Sequence, residues 1–188
     1  MEDRKVTISR LKSKVEYPAD FMLVAATNPC PCGYYGEGDR CICTPSRRIS
    51  YLSKLSGPIM DRIDIQLWMS PVDPKKLVGR PSAEPSATVA ARVSAAREIQ
   101  KRRFASEGIF CNASMNNRQI EKYCPLSQEC KVLLERIIEN MGLSARACMR
   151  IIKLSRTIAD LAGSDEIRTE HISEAASYRF LDKRNIFD

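Results

Sequence analysis

The stretch FMLVAATNPCPCGYYGEGDRCICTPSRR, residues 21–48, joins an apolar run to a loop rich in cysteine. Six consecutive apolar residues, Phe21–Ala26, precede the polar pair Thr27 and Asn28, and Pro29 follows. A continuous apolar run of this length, bounded by a turn signal, is typical of a strand buried on both faces of a parallel sheet. The run therefore predicts an α/β core with Asn28 at the carboxyl end of a strand, where such sheets bind ligands.

The cysteines after this run form two C-x-C pairs separated by eight residues: Cys30, Cys32, Cys41 and Cys43. Four thiolates can close a tetrahedral zinc site, and glycines in the loop allow it to wrap around the ion. C-x-C is tighter than the commoner C-x-x-C, so reduced thiols in a flexible loop and a disulfide in purified protein are alternatives. A Cys/His nucleophilic pair is not expected, because the one histidine, His171, lies far along the chain.

The composition is that of an ordinary globular chain, with 188 residues, 44% of them hydrophobic and 28% charged. We expect a cytoplasmic protein with reduced thiols, because no apolar run approaches a membrane span and no export signal opens the chain. The net charge is +7, and residues 75–106 alone hold eight Lys or Arg against two Glu. Such a segment attracts phosphate-rich partners, or it is simply a solvated helix face beside a linker.

The chain changes character near residue 71, so we predict two units: an incomplete α/β core over 1–70 and a helical bundle over 88–188. Four prolines, three serines and one glycine in residues 70–89 indicate a linker, which we place at 71–87. KVTISR and KVEYPA, residues 5–10 and 14–19, can pair as a hairpin. IDIQLWM, residues 63–69, alternates in polarity like a second strand of the core.

Four helices are predicted after the linker. Apolar spacing places the first through Val89, Val93, Ala96 and Ile99. Ser127 caps the second, which ends at Gly142, while Ser144 caps the third and Thr169 begins the fourth.

Three motifs together resemble one family: VTISRLKSKVEYPADFMLVAATNPCPCGYYG at 6–36, CTPSRRISYLSKLSGPIMDRIDI at 43–65 and GLSARACMRIIKLSRTIADL at 142–161. This is the ComM/YifB family of magnesium-chelatase-like AAA+ ATPases, related to helicases that load onto replication forks. The resemblance covers essentially the whole chain. It implies a partial AAA+ αβα core followed by a helical lid, with ATP and Mg²⁺ as cofactors of the full-length protein and a hexameric ring as its assembly.

The resemblance also implies roles for individual residues. Asn28 matches the sensor-1 position that orients the water attacking the γ-phosphate. Arg62 matches the arginine finger offered to ATP on an adjacent subunit, and Arg146 matches the sensor-2 arginine of the lid. The basic hairpin tip, where relatives touch branched or single-stranded DNA, comprises Arg10, Lys12 and Lys14.

From the residues alone, each of these positions has a second interpretation. Asn28 can simply cap a turn, and Arg62 can pair with Asp61 or Asp64 as scaffolding. Arg146 can belong to a solvated helix face together with Arg150 and Lys153, at spacings that put all three opposite the apolar stripe.

The phosphate loop G-x-x-x-x-G-K-[ST] of AAA+ ATPases does not occur in this sequence. In the family it precedes the region matched here, so we expect a C-terminal part that does not hydrolyse ATP alone. The expected function of the whole protein is DNA translocation in branch migration, recombination and natural transformation. Two other functions fit the same residues: a chelatase-type motor that remodels a protein partner, and a zinc-stabilised DNA-binding module without a motor.

Overall fold

The computed structural model describes residues 5–10, 13–55, 57–70, 72 and 84–179. By spatial proximity the chain divides into two compact units, Met1–Arg48 and Ile49–Asp188, each considered separately below. The predicted linker at 71–87 lies largely outside the described residues, so the domain boundary stays a prediction. Within the described residues, no helix is both long and apolar enough to cross a membrane.

The first unit contains an antiparallel hairpin of β1, Lys5–Arg10, and β2, Ser13–Pro18. Its register pairs Arg10 with Ser13 and Lys14 with Ser9, which confirms the predicted pairing. Lys12 lies outside the described residues. Every described residue of both strands is exposed, including the apolar face formed by Val6, Ile8, Val15 and Tyr17. The hairpin is therefore held by its own hydrogen bonds rather than by a core.

The predicted buried strand at Phe21–Ala26 is wrong for this structure. Those residues form no strand, and Met22 and Val24 are 87% and 82% exposed. A strand of a parallel sheet needs hydrogen-bonded neighbours and helices on its faces, and among the described residues the sheet has two strands, β1 and β2. The mixed α/β character is confirmed only as this hairpin accompanied by helices.

The second predicted strand, residues 63–69, also forms no strand in this structure. Its apolar residues Ile65 and Leu67 are exposed, whereas the polar Gln66 is 5% exposed. The reason is a backbone contact: the Gln66 N–H donates to the carbonyl of Tyr178 at 2.7 Å and draws this residue inward.

The helices of the structure follow the local signals closely. Ser127 and Ser144 accept hydrogen bonds from the backbone N–H groups of Cys130 and Ala147, and Gly142 takes the left-handed conformation at φ 62°. The ends expected at these residues are confirmed. The helices are α1 Pro45–Leu52, α2 Gly57–Met60, α3 Ser86–Arg103, α4 Asn117–Tyr123, α5 Gln128–Met141, α6 Ala145–Leu161 and α7 Thr169–Ser177.

One core lies among helices α4 to α7 and the loops that join them. Helices α5 and α6 supply much of it, and in the second half of α3 Ala96 is buried while Val89 and Val93 are exposed. The buried members are Phe104, Met115, Ile120, Cys124, Cys130, Leu134, Ile151, Ile152, Ile158, Ile167, Ile172, Ala175 and Ala176. Cys124 and Cys130 act as small hydrophobes in this core.

A buried polar network ties α3 to α6. The carboxylate of Asp160, whose side chain is fully buried, accepts from both terminal nitrogens of Arg103 at 2.5 and 2.7 Å. It also accepts from Arg156 Nε at 3.1 Å and from Asn112 Nδ2 at 2.8 Å. A buried charge is tolerated when it is paired and fully hydrogen-bonded, so Asp160 is the centre on which the arginines of two helices converge.

Candidate functional site

The four predicted metal ligands come together in the first unit. The sulfur atoms of Cys30, Cys32, Cys41 and Cys43 all lie within 4.8 Å of one another. The Cys30 sulfur is 3.3 Å from that of Cys32 and 3.8 Å from that of Cys41, and the Cys32 and Cys41 sulfurs are 3.7 Å apart. Sulfurs bound tetrahedrally to zinc at about 2.3 Å would be about 3.8 Å apart. Two of these three separations are close to that value and the Cys30–Cys32 separation is shorter, and all four residues are free cysteines rather than disulfides.

Backbone turns hold the cysteines in this arrangement. The Gly33 N–H donates to the Cys30 carbonyl at 3.0 Å, and Gly33 adopts φ 85°, which favours glycine. At the other end of the loop, Arg48 Nη1 donates to the Cys43 carbonyl at 2.8 Å and its guanidinium stacks on the ring of Tyr35. Cys30 and Cys43 are buried as a result.

The thiols of the cluster differ in acidity. Hydrogen bonding from the Tyr34 backbone lowers the pKa of Cys32 to about 6, and neighbouring thiols contribute in the same direction. Burial, with smaller contributions from Cys32 and Cys30, raises the pKa of Cys43 to about 11. The Cys32 sulfur is therefore largely thiolate near neutral pH.

Asn28 lies at the entrance to this loop. It is exposed and follows coil rather than a strand. A β-carbon added to Gly33 would lie 3.9 Å from Asn28 Cγ, so the amide side chain sits beside the first turn of the cysteine loop. Its sensor role stays a prediction.

Arg62 lies in the second unit, on the turn after α2, where its N–H donates to the Ile59 carbonyl at 2.9 Å. The two carboxylates proposed as its scaffolding partners have other contacts. Asp61 Oδ2 accepts from Ser144 Oγ at 3.2 Å, and Asp64 forms an ion pair with Arg150. The turn that carries Arg62 is thus fastened to the start of α6.

The cations predicted to share a polar face on α6 have separate environments. Arg146 is exposed in the first turn, whereas Arg150 is half-buried against Asp64. Lys153 Nζ donates to the Ala113 carbonyl at 3.1 Å, and burial lowers its pKa. The interpretation as one uniformly solvated face therefore does not describe these three residues.

The residues that fasten the Arg62 turn were not predicted from the sequence. Ser144 was expected only as a helix cap, and Arg179 was not singled out. Arg179 is 1% exposed and its Nη1 donates to the Ile63 carbonyl at 2.8 Å. No rule of local sequence spacing relates Arg179 to Ile63, which lies 116 residues earlier.

Comparisons with known proteins cover both parts of the chain. Residues 1–77 match the family described as magnesium chelatase, subunit ChlI, and residues 83–179 match its C-terminal family. YifB of Salmonella typhimurium is 41% identical over 185 residues, and the competence protein ComM of Haemophilus influenzae is 39% identical over 183 residues. A Mycobacterium bovis protein is 32% identical over 182 residues.

These alignments include 95–97% of the chain but only 35% of each relative's length. The chain therefore corresponds to about a third of the curated relatives it matches. With both family patterns found in order along its length, the chain belongs to the magnesium chelatase subunit ChlI family.

Proposed function

We propose that this chain is the C-terminal part of a ring-forming AAA+ ATPase that moves DNA in the cytoplasm. The observation that carries the proposal is the match to both chelatase family patterns together with 39% identity to a competence protein. In this proposal Asn28 orients the attacking water, Arg62 contacts ATP on a neighbouring subunit and Arg146 contacts the nucleotide phosphates. ATP with Mg²⁺ supplies the phosphoryl group, and the ring is a hexamer.

In this proposal the chain supplies the arginines of a nucleotide site but not its phosphate loop. Arg62 and Arg146 carry guanidinium groups suited to phosphate oxygens, while the phosphate-loop motif does not occur in the sequence. An arginine finger is worth about 10³–10⁵ in rate where it has been measured. This chain by itself should therefore bind nucleotide poorly and turn none over.

The ATPase test uses the chain alone and the full-length protein that includes a phosphate loop. In the full-length protein, Arg62→Ala should lower kcat by about 10³-fold or more, whereas Arg136→Ala, an exposed arginine on α5, should leave kcat unchanged. Hydrolysis by the chain alone that survives purification and is abolished by Arg62→Ala would refute the assignment of this region as an incomplete ATPase.

DNA is the proposed substrate because the hairpin places Arg10 and Lys14 near its tip. Binding to a forked DNA should weaken steeply with salt, and Lys12→Ala combined with Lys14→Ala should reduce that salt slope by about two. Lys131→Ala combined with Arg136→Ala removes the same charge from α5 and is the control. Absent or salt-independent binding would instead favour a chelatase-type motor that remodels a protein partner.

The cysteine cluster is the proposed site of a structural zinc ion. The carrying observation is that all four sulfurs lie within 4.8 Å of one another and that those of Cys30, Cys32 and Cys41 are 3.3–3.8 Å apart, near the spacing of a tetrahedral zinc site. The ion would brace the loop that follows Asn28 and would stabilise a segment with little apolar core. A zinc-stabilised DNA module without a motor remains the competing function, and the coding sequence upstream of this region distinguishes it from the ATPase.

Elemental analysis of protein purified without added metal tests the zinc site. We expect about one zinc per chain, and loss of most of it in Cys32→Ser. Cys111→Ser is the matched control, because Cys111 lies outside the cluster and its thiol contacts Ser114. Less than about 0.2 equivalents of zinc with all thiols reactive would contradict a site of this class.

A further inference from the structure

The turn that carries Arg62 is held from one side by the beginning of α6. Ser144, the residue that caps this helix, donates from Oγ to Asp61 Oδ2 at 3.2 Å. Two turns further along, Arg150 forms an ion pair with Asp64. Residues immediately before Arg62 and two positions after it are therefore both attached to the same helix.

The same turn is held from a second side by the residues that follow α7. Arg179 Nη1 donates to the Ile63 carbonyl at 2.8 Å, and its Nη2 lies 3.9 Å from Asp61 Oδ1. The Gln66 N–H donates to the Tyr178 carbonyl at 2.7 Å. Arg179 is almost fully buried, so these contacts are shielded from water and hold the backbone more firmly than a surface contact would.

Every residue beside Arg62 is consequently anchored. The Arg62 and Ile63 N–H groups donate to the Ile59 and Met60 carbonyls at 2.9 and 3.1 Å, and the contacts above fix the positions on either side. The reach of a guanidinium to a phosphate depends on where its backbone is held. A misplacement of about 1 Å can cost about 100-fold in rate when geometry is critical.

We propose that Arg150 and Arg179 are positioning residues for Arg62, and that the helical bundle holds the Arg62 turn in register. In this arrangement, which we call the Arg62 clamp, Asp61 and Asp64 are the groups that accept the contacts of Ser144 and Arg150. Arg146 lies on α6 between Ser144 and Arg150, so a phosphate contact that shifts the start of this helix also shifts the Arg62 turn. The proposal rests on the proposed role of Arg62 as an arginine finger.

The first test measures how strongly these contacts protect the Arg62 turn from hydrogen exchange in this chain, and it does not depend on ATP hydrolysis. Hydrogen exchange of a peptide covering residues 61–66 should be about 2–5 times faster in Asp64→Asn and in Arg150→Gln, as expected for a partly exposed ion pair. Glu84→Gln, which breaks an exposed ion pair with Arg92, should leave this exchange unchanged. Arg179→Lys, which keeps a donor, should have a smaller effect than Arg179→Met. Unchanged exchange in both Asp64→Asn and Arg150→Gln would overturn the proposal.

The second test uses the full-length ATPase. Asp64→Asn should lower kcat by about 10- to 100-fold while KM for ATP stays the same, and should add little to Arg62→Ala. Restoring the pair in reverse, with Asp64→Arg and Arg150→Asp together, should recover part of kcat. If Arg62→Ala abolishes turnover but Asp64→Asn and Arg150→Gln do not slow it, the positioning role is wrong. If Arg62→Ala itself has no effect, the finger assignment fails, whatever the exchange experiment shows.

Discussion

Residues 84–179 and residues 5–48 are stabilised in different ways. In the helical region the apolar side chains of α4 to α7 and of the loops that join them meet in one core, and capping side chains satisfy the N-terminal ends of α4, α5 and α6. In the earlier region the hairpin and the run after it expose their apolar side chains, while Cys30 and Cys43 of the cysteine cluster are buried. A helix forms its backbone hydrogen bonds within itself and needs only one face packed against other apolar side chains. A strand also needs neighbouring strands to complete its backbone hydrogen bonds.

The largest expected loss of unfolding free energy comes from the buried polar network of the helical region. Asp160→Ala removes the carboxylate that accepts hydrogen bonds from the partly buried Arg103 and the buried Arg156, and both guanidinium groups lose this acceptor. Breaking a buried ion pair from one side typically costs about 3–5 kcal/mol. Urea unfolding followed by circular dichroism should show a loss of this size. Glu139→Ala, an exposed position on α5, is the control; a loss below about 1 kcal/mol for Asp160→Ala would mean that the network is not essential.

A smaller effect is expected at the helix caps. Ser144→Ala removes the acceptor for the Ala147 N–H, which should cost about 1 kcal/mol of unfolding free energy. Ser127→Ala is a matched change on α5, because the Ser127 hydroxyl accepts from Cys130 N–H in the same way. Since Ser144 also donates to Asp61, only Ser144→Ala should quicken hydrogen exchange at residues 61–66. Equal exchange in both variants would show that the cap acts on its helix alone.

The same contrast explains what could be predicted from the sequence. Ser127, Gly142 and Ser144 act on their immediate neighbours, so their helix ends were predicted correctly. The cysteine spacing likewise predicted a cluster that the structure brings together. The capping box of Asn116 and Gln119 was missed, although its side chains give a local signature.

The errors concern structure that depends on distant residues. The apolar run at 21–26 has the composition of a buried strand, but composition does not supply the strands beside it. The clamp on Arg62 could not be predicted for a similar reason, because Asp64 and Arg150 are 86 residues apart in sequence and Ile63 and Arg179 are 116 apart. Their contact exists only once the helices have packed.

The stability contributed by a hydrogen-bonded cluster around Glu107 should depend on pH. Glu107 accepts from Lys122 Nζ at 2.6 Å, from the Tyr123 hydroxyl at 2.5 Å and from Gln119 Nε2 at 3.0 Å. Hydrogen bonds from Lys122, then from Tyr123 and Gln119, lower the pKa of Glu107 from 4.5 to about 2.

Because the folded pKa lies below the unfolded one, this stabilisation is complete above about pH 4.5 and is lost as the pH falls toward about 2. Glu107→Gln should therefore lose less unfolding free energy than the wild type between about pH 5 and about pH 3. Urea unfolding at several pH values measures the difference. Identical pH dependence in the two proteins would show that the cluster does not stabilise the fold.

The smallest expected effect bears most directly on the comparison between the two regions. Met22 is 87% exposed and Met115 is 2% exposed, so the same change to serine has opposite consequences for packing. Met22→Ser should alter stability by no more than about 0.5 kcal/mol, whereas Met115→Ser should cost about 2–5 kcal/mol. Urea unfolding with mass-spectrometric exchange on peptides from each region measures both. If Met22→Ser destabilised residues 5–48 by more than about 1 kcal/mol, the apolar run would be packed after all. The apolar run at 21–26 would then contribute to a packed core, and the two regions would not differ in the way described.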